Sequence, residues 1–424
     1  MICEDAGVAM ELSEHFKYRV EGYQFMPSYK ARRWDGYLRI YNAHTKLIYV
    51  GLLPLIEKFA KDRDYSIEYE TDFSDSEFSL HEAEQLFESL NTEFDKNDFQ
   101  TALQITTATK AIRKNRSIII SPTGSGKSFI IYLLTKHYNK KTLIIVPTIG
   151  LVHQMHSDFV SYGYDGELMH KIYSGKEKYT EHPVVVGTWQ SIAKLPKTWL
   201  SEFDVVIGDE VHLFSAKSLI TIMENMNDTK YRFGLTGTLD KSETNKLVLM
   251  GLFGSIIQET TTAELIEKKV LAPLKIKCII LKYPEEIRKS VVRAEYEDEI
   301  NYIISHENRN NFLKNLALSL KGNTLMLFTR IESHGDILDK KIREAISDDR
   351  KYFYVHGGVS GEDRDALRPI VEKSGTTMIF EFGNLKVEVD KNLLIPLSNG
   401  SLKLAKSITI EDDIDDNWVK VNIL

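Results

Sequence analysis

The chain has 424 residues, 42% of them hydrophobic and 27% charged, with a formal net charge of −7. That is apolar material for two or three folded domains and too much for a disordered chain, while no apolar run nears the roughly 18 residues of a membrane span and the start lacks a signal-peptide pattern. The acidic balance confines any nucleic-acid binding to a local basic face, and Cys3 and Cys278 do not form a metal-type cluster and read as free thiols of a reducing, cytoplasmic compartment.

Residues 1–72 read as a small α+β domain of short apolar strands and turns, closed by an amphipathic helix around Leu53–Ala60. Between Tyr29 and Arg39, the cations Lys30, Arg32, Arg33 and Arg39 interleave with Tyr29, Trp34 and Tyr37. The pair Asp35-Gly36 in this stretch signals a hairpin turn. Cations for phosphates beside aromatic faces for bases is the composition of a nucleic-acid surface. A core tryptophan among solvated arginines is the other reading, and the residues alone do not choose. Residues 73–95 turn acidic and read as a linker, with a short helical pattern at Glu82–Leu90.

From 96 to 265, β-branched strand candidates alternate with helical ones, the pattern of a parallel sheet. The run Ser117–Ile120, the loop Ser121-Pro-Thr-Gly-Ser-Gly-Lys-Ser128 and the apolar Phe129–Leu134 make a strand, a Gly-rich turn and a helix. This is a phosphate-binding loop, although Ser121 stands where the strict pattern has glycine. Amides of Thr123, Gly124, Ser125 and Gly126 and the helix N-terminus would face phosphates, Lys127 would reach the β- and γ-phosphates, and Ser128 would hold Mg²⁺. A second half of the site follows Val205–Gly208, where Asp209 and Glu210 end a buried strand. Asp209 would share the Mg²⁺, and Glu210 would orient and deprotonate the attacking water.

These motifs resemble those of superfamily 2 helicases and translocases: a Walker A loop, a DEAH-type box at Asp209–His212 and a Thr-Gly-Thr motif at Thr236–Thr238. The resemblance implies RecA-like lobes, the cofactors ATP and Mg²⁺, and several further roles. Phe99 and Gln100 would form the Q-motif, with Gln100 reading adenine. Thr148, Thr188 and Gln190 would hold one strand by its phosphates, and His212 with Thr236, Gly237 and Thr238 would couple nucleotide state to that grip. Gly22–Phe25, Arg33–Gly36, Val184–Gln190 and Phe233–Thr238 narrow the likeness to the UvsW-type recombination helicases of T-even-like phages. Such helicases act on forks, Holliday junctions, D-loops and R-loops in recombination, repair and replication, which favours DNA contact, RNA–DNA hybrids included, at Arg32, Arg33 and Trp34. Alternatives are a restriction-type or XPB-like translocase, or a non-catalytic ATP- and nucleic-acid-binding protein.

Residues 266–377 read as a partial second lobe, with a long helical segment around 287–321, a strand at Thr324–Phe328 followed by Arg330, and another strand at Tyr352–Val355. The resemblance makes Arg330 a nucleic-acid contact. Family members place arginine fingers further on, worth about 10³–10⁵ in rate. No arginine follows Arg368 here. Residues 378–424 instead read as an atypical β-rich acidic tail, opened by a hairpin around Gly383-Asn384. The expectation is a split or truncated motor, with a second polypeptide completing the lobe.

Overall fold

The computed structural model describes residues 5–20, 22–70, 74–90, 92–215, 217–239, 243–273, 279, 281–291, 294–359 and 361–382, with short strands at 394–396, 402–404 and 419–421. Cys3, Cys278, the Gly383-Asn384 turn and the acidic end lie outside these residues. The chain divides into two compact units, residues 1–271 and 272–424. Among the described residues no helix is long and apolar enough to cross a membrane.

The first unit opens on a helix that the sequence reading missed. Asp5 accepts hydrogen bonds from the Gly7 and Val8 amides and caps Ala6–His15, satisfying donors that a helix start leaves free. Strand β1 (Lys17–Arg19) then pairs antiparallel with β2 (Tyr37–Arg39). Asp35-Gly36 is not a two-residue hairpin turn, as expected from sequence, because two short helical turns, Tyr23–Phe25 and Pro27–Lys30, lie between the strands. The helix Leu53–Lys61 follows as expected and buries Ile56 and Phe59 against Leu12, Phe16 and Tyr41.

The acidic stretch 73–95 is only partly a linker. A capping box between Ser79 and Glu82 starts the helix Leu80–Glu88, and Ala83, Phe87 and Leu90 join the main core. Charge on the outer face hid an inner face with helical spacing.

The rest of this unit is a seven-stranded sheet whose paired neighbours are all parallel. Its strands are β3 (Arg116–Ile120), β4 (Thr142–Val146), β5 (Met169–Ile172), β6 (Val184–Thr188), β7 (Val205–Asp209), β8 (Tyr231–Thr236) and β9 (Ser255–Gln258). They lie in the order β5-β6-β4-β7-β8-β3-β9. Successive side chains point to opposite faces: Ile119, Ile144, Val186, Ile207 and Leu235 enter one core, and Ile118, Leu143, Val185 and Val206 the other. Burying each such side chain stabilises the fold by about 1.5–3 kcal/mol. Because every neighbouring pair is parallel, the loops after β3, β7 and β8 leave from one edge, where ligands of such sheets bind.

The second unit holds β10 (Thr324–Phe328), β11 (Tyr352–Val355), β12 (Met378–Phe382), an antiparallel pair β13 (Leu394–Pro396) and β14 (Leu402–Leu404), and β15 (Val419–Val421). β12 is a central parallel strand between β11 and β10. The sequence reading assigned these residues to a tail hairpin; Met378 and Phe380, both fully buried, show that their alternation belongs to the lobe core. The segment expected as one helical stretch is three helices, Glu285–Val291, Tyr296–Ser305 and Glu307–Ser319.

Candidate active site

The phosphate loop joins β3 to the helix Lys127–Tyr138. Gly124 and Gly126 both have φ of 83°, a region that favours glycine. At Gly126 the demand is also steric, since a Cβ would come within 2.0 Å of the Gln104 Nε2. The loop is braced internally by the Ser121 and Ser125 hydroxyls, 2.5 Å apart, and by Ser125 donating to the Pro122 carbonyl (2.6 Å). Gln100 and Gln104, one helical turn apart, donate to the Gly124 and Ser125 carbonyls at 3.2 and 2.9 Å. The Ser125 amide also donates to the Pro122 carbonyl at 3.1 Å. Gln104 was not picked out from sequence; its spacing from Gln100, as a polar residue among Ile105 and Ala108, was the available signal.

β3, β8 and β7 are neighbours, and their register sets Ile120 beside Thr236 and Asp209 beside Leu235. The three motifs expected at these strand ends therefore meet. The Ser121 amide donates to the Thr236 carbonyl (2.9 Å). The Lys127 ammonium lies 3.5 Å from Glu210 Oε1. His212 Nδ1 lies 3.3 Å from Glu210 Oε2 and 3.0 Å from the Thr236 hydroxyl, which donates to the Thr238 carbonyl at 2.7 Å. Gly237 lies beside Thr123, where an added Cβ would be 3.4 Å from the Thr123 hydroxyl, an ordinary contact. Glu210 has φ of 53°, a costly conformation for a residue with a Cβ.

Asp209 is almost fully buried, and the Glu210 amide donates to it at 3.0 Å. Burial, then the Glu210 charge, pushes its carboxyl up to about 6. A buried oxygen donor with an under-compensated charge suits a hard divalent cation, so Asp209 fits Mg²⁺. Ser128 fits in kind but spends its hydroxyl on that of Tyr162, 2.9 Å away. Tyr162 also packs on Phe129 and Phe94, a contact that the sequence did not signal. In metal-free protein, Asp209 binds a proton more tightly folded than unfolded, between about pH 4 and about 6. Stability should therefore fall as pH rises through that window, and the penalty should persist above it. Thermal melts of Asp209→Asn against the parent should show a gain at pH 8 and none at pH 4; equal gains at both would contradict this.

Other expected contacts are more scattered. Phe99 has the Lys268 ammonium 5.7 Å over its ring. Thr148 caps the helix Ile149–Ser161, accepting from the Leu151 amide at 3.3 Å. Thr188 ends β6 opposite Val146, its hydroxyl donating to Ser191, and Gln190 is exposed. Arg32 and Arg33 are exposed and Trp34 half-buried. Within the second unit, Arg330 pairs with Glu297 at 2.7 Å, so it is not a free cation.

Comparison with known proteins fixes the family. Residues 1–70 match the family described as DNA helicase UvsW, N-terminal, and residues 83–241 match Type III restriction enzyme, res subunit. The ATP-dependent DNA helicase uvsW of Enterobacteria phage T4 is 31% identical, over 92% of this chain and 80% of that protein. The chain belongs to the UvsW helicase family. A crystal structure of T4 UvsW aligns with a TM-score of 0.55 at 30% identity, covering 89% of this chain and 76% of that one. A second UvsW structure from bacteriophage T4, also at 0.55, is 32% identical and covers 60% and 94%. The DNA 3'-5' translocase XPB2 of Sulfurisphaera tokodaii is similar at 24% identity, over 86% of this chain and 75% of that protein. As a UvsW-family member the chain is an ATP-dependent helicase with RecA-like lobes, and the joined Lys127, Glu210, His212 and Thr236 lie in its first lobe.

Proposed function

We propose that this protein converts ATP hydrolysis into movement on branched DNA, opening or migrating forks, Holliday junctions and D- or R-loops. The observation that carries the reading is the continuous chain of polar contacts from Lys127 through Glu210 and His212 to Thr236 and Thr238. Loop amides and Lys127 hold the ATP phosphates. Lys127 shares its charge with Glu210 across 3.5 Å; a γ-phosphate that draws Lys127 away leaves the Glu210 carboxylate to position water and accept its proton. Mg²⁺, when bound at Asp209 and Ser128, supplies charge neutralisation for the phosphates.

A change at Glu210 reaches His212 directly and Thr236 next, and Thr236 also anchors the phosphate loop through Ser121. Those contacts give nucleotide state a route to Thr148, Thr188 and Gln190, at the same sheet edge, which we assign to one DNA strand. Arg32, Arg33 and Trp34 supply a further DNA contact, and Gln100 with Phe99 flanks the adenine. The experiment that tests the function is DNA affinity as a function of bound nucleotide, with Lys127→Ala as control.

A further inference from the structure

The amino-terminal part of the first unit contains a cavity of about 560 Å³ lined by Gln24, Tyr29, Lys30, Arg32, Arg33 and Trp34, with Asp35 beside them. Its three cations carry no ion pair among the described residues, whereas Asp35 is engaged by Arg39 at 2.8 Å and by the Tyr37 amide. The basin is therefore positive despite the acidic chain around it. Its two rings are held in place: Trp34 donates its indole N–H to the Tyr37 carbonyl at 2.8 Å, and Tyr29 meets Tyr23 edge-on at 4.7 Å. The neighbouring residue in the chain, Phe25, is 72% exposed. A second cavity, beside β5, is lined by Glu167, Glu177 and Glu181, charges that repel phosphate.

Arg32 adds an observation of its own. It ends the helical turn Pro27–Lys30 with φ of 54°, a position where glycine or asparagine is usual. A long cation thus stands where the backbone favours glycine.

We propose that this cavity binds a single unpaired nucleotide of DNA, its phosphate on Lys30, Arg32 and Arg33 and its base on the faces of Tyr29 and Trp34, with the Gln24 amide at the base edge. A rigid duplex presents phosphates to such a surface but keeps its base faces stacked; only an unpaired base brings a free ring face to rings set in a pocket. The inference rests on the DNA reading above and deepens it: the module recognises the single-stranded element of a branch.

The test uses the full 424-residue chain without nucleotide, a single-stranded oligonucleotide carrying 2-aminopurine and a blunt duplex of the same sequence. The single strand should bind more tightly than the duplex, with quenching of 2-aminopurine. Tyr29→Leu should weaken single-strand binding about tenfold and abolish the quench while changing duplex binding little. Arg33→Ala should lower the salt slope on the single strand by about 0.7. Arg32→Gly should weaken binding while melting at or above the parent temperature, because the strained turn relaxes. Equal losses on single strand and duplex would overturn the nucleotide pocket yet leave DNA binding standing. An Arg32→Gly protein that melts lower and binds normally would make Arg32 structural and overturn its role. Failure of the parent to bind either DNA would remove the underlying reading as well.

Discussion

A chain carrying Glu210→Gln is expected to keep ATP bound and to hydrolyse it about 10²–10⁴-fold more slowly than the parent. Glutamine has the shape of glutamate, so its amide oxygen can still face the Lys127 ammonium, 3.5 Å from Glu210 Oε1, while its NH2 replaces the oxygen that lies 3.3 Å from His212 Nδ1. What it loses is the ability to accept a proton from water. The φ of 53° at this residue is set by the backbone after β7 and survives the change, so the fold around the loop should be unaltered. Single-turnover hydrolysis of bound ATP, beside its dissociation constant, separates binding from chemistry and remains readable when steady-state turnover is slow. Equal rates in the two proteins would remove Glu210 from the reaction.

Gly51→Ala should produce the largest loss of stability of any single methyl addition discussed. A Cβ at this position would lie 2.1 Å from the Met250 carbonyl oxygen, 2.7 Å from that of Gly251 and 2.9 Å from the Gly254 nitrogen. All three are backbone atoms of the helix Glu243–Phe253 and the residue after it, so no side chain can swing aside. The approach is reciprocal, since a Cβ on Gly251 would meet the Tyr49 ring at 2.7 Å, and the Tyr49 hydroxyl donates to Glu224 at 2.6 Å. That helix serves two cores: Leu247 and Met250 pack under the amino-terminal helices, while Leu249, Leu252 and Phe253 face the large sheet. Overpacking costs about 1–3 kcal/mol where side chains can adjust, and here the cost should reach or pass the upper figure. Chemical denaturation should show a lower midpoint, with limited proteolysis releasing the amino-terminal module first. An unchanged midpoint would mean that the amino-terminal module is not held by this contact.

The motor half of the molecule was legible because its chemistry is local in sequence. A Gly-rich loop between an apolar strand and an apolar helix, and a carboxylate pair ending a strand, each name their own partners, and the sheet register brings them together. Gln104 and Tyr162 were not legible, since each acts through one hydrogen bond to a loop residue and stands outside the motif that opens its own helix. The amino-terminal module was read least well. Its first helix depends on a single capping aspartate, and Asp35-Gly36 has the chemistry of a hairpin turn, yet Gly36 instead accepts from the Val20 amide at 2.9 Å. In the second unit, alternation in Met378–Phe382 suits a hairpin or a buried parallel strand equally. Long-range pairing with β10 and β11 decides for the strand, and a short apolar run does not encode its partners.

The most direct test of an ATP-driven DNA motor is the affinity of the purified chain for a forked DNA without nucleotide, with ADP and with a non-hydrolysable ATP analogue. Coupling between two sites usually amounts to about 5–150-fold in affinity. The route from Lys127 through Glu210 and His212 to Thr236 leads us to expect a change of that size between the analogue and ADP, absent in Lys127→Ala. The same affinity in all three conditions would contradict the account, leaving an ATP site and a DNA surface that do not communicate.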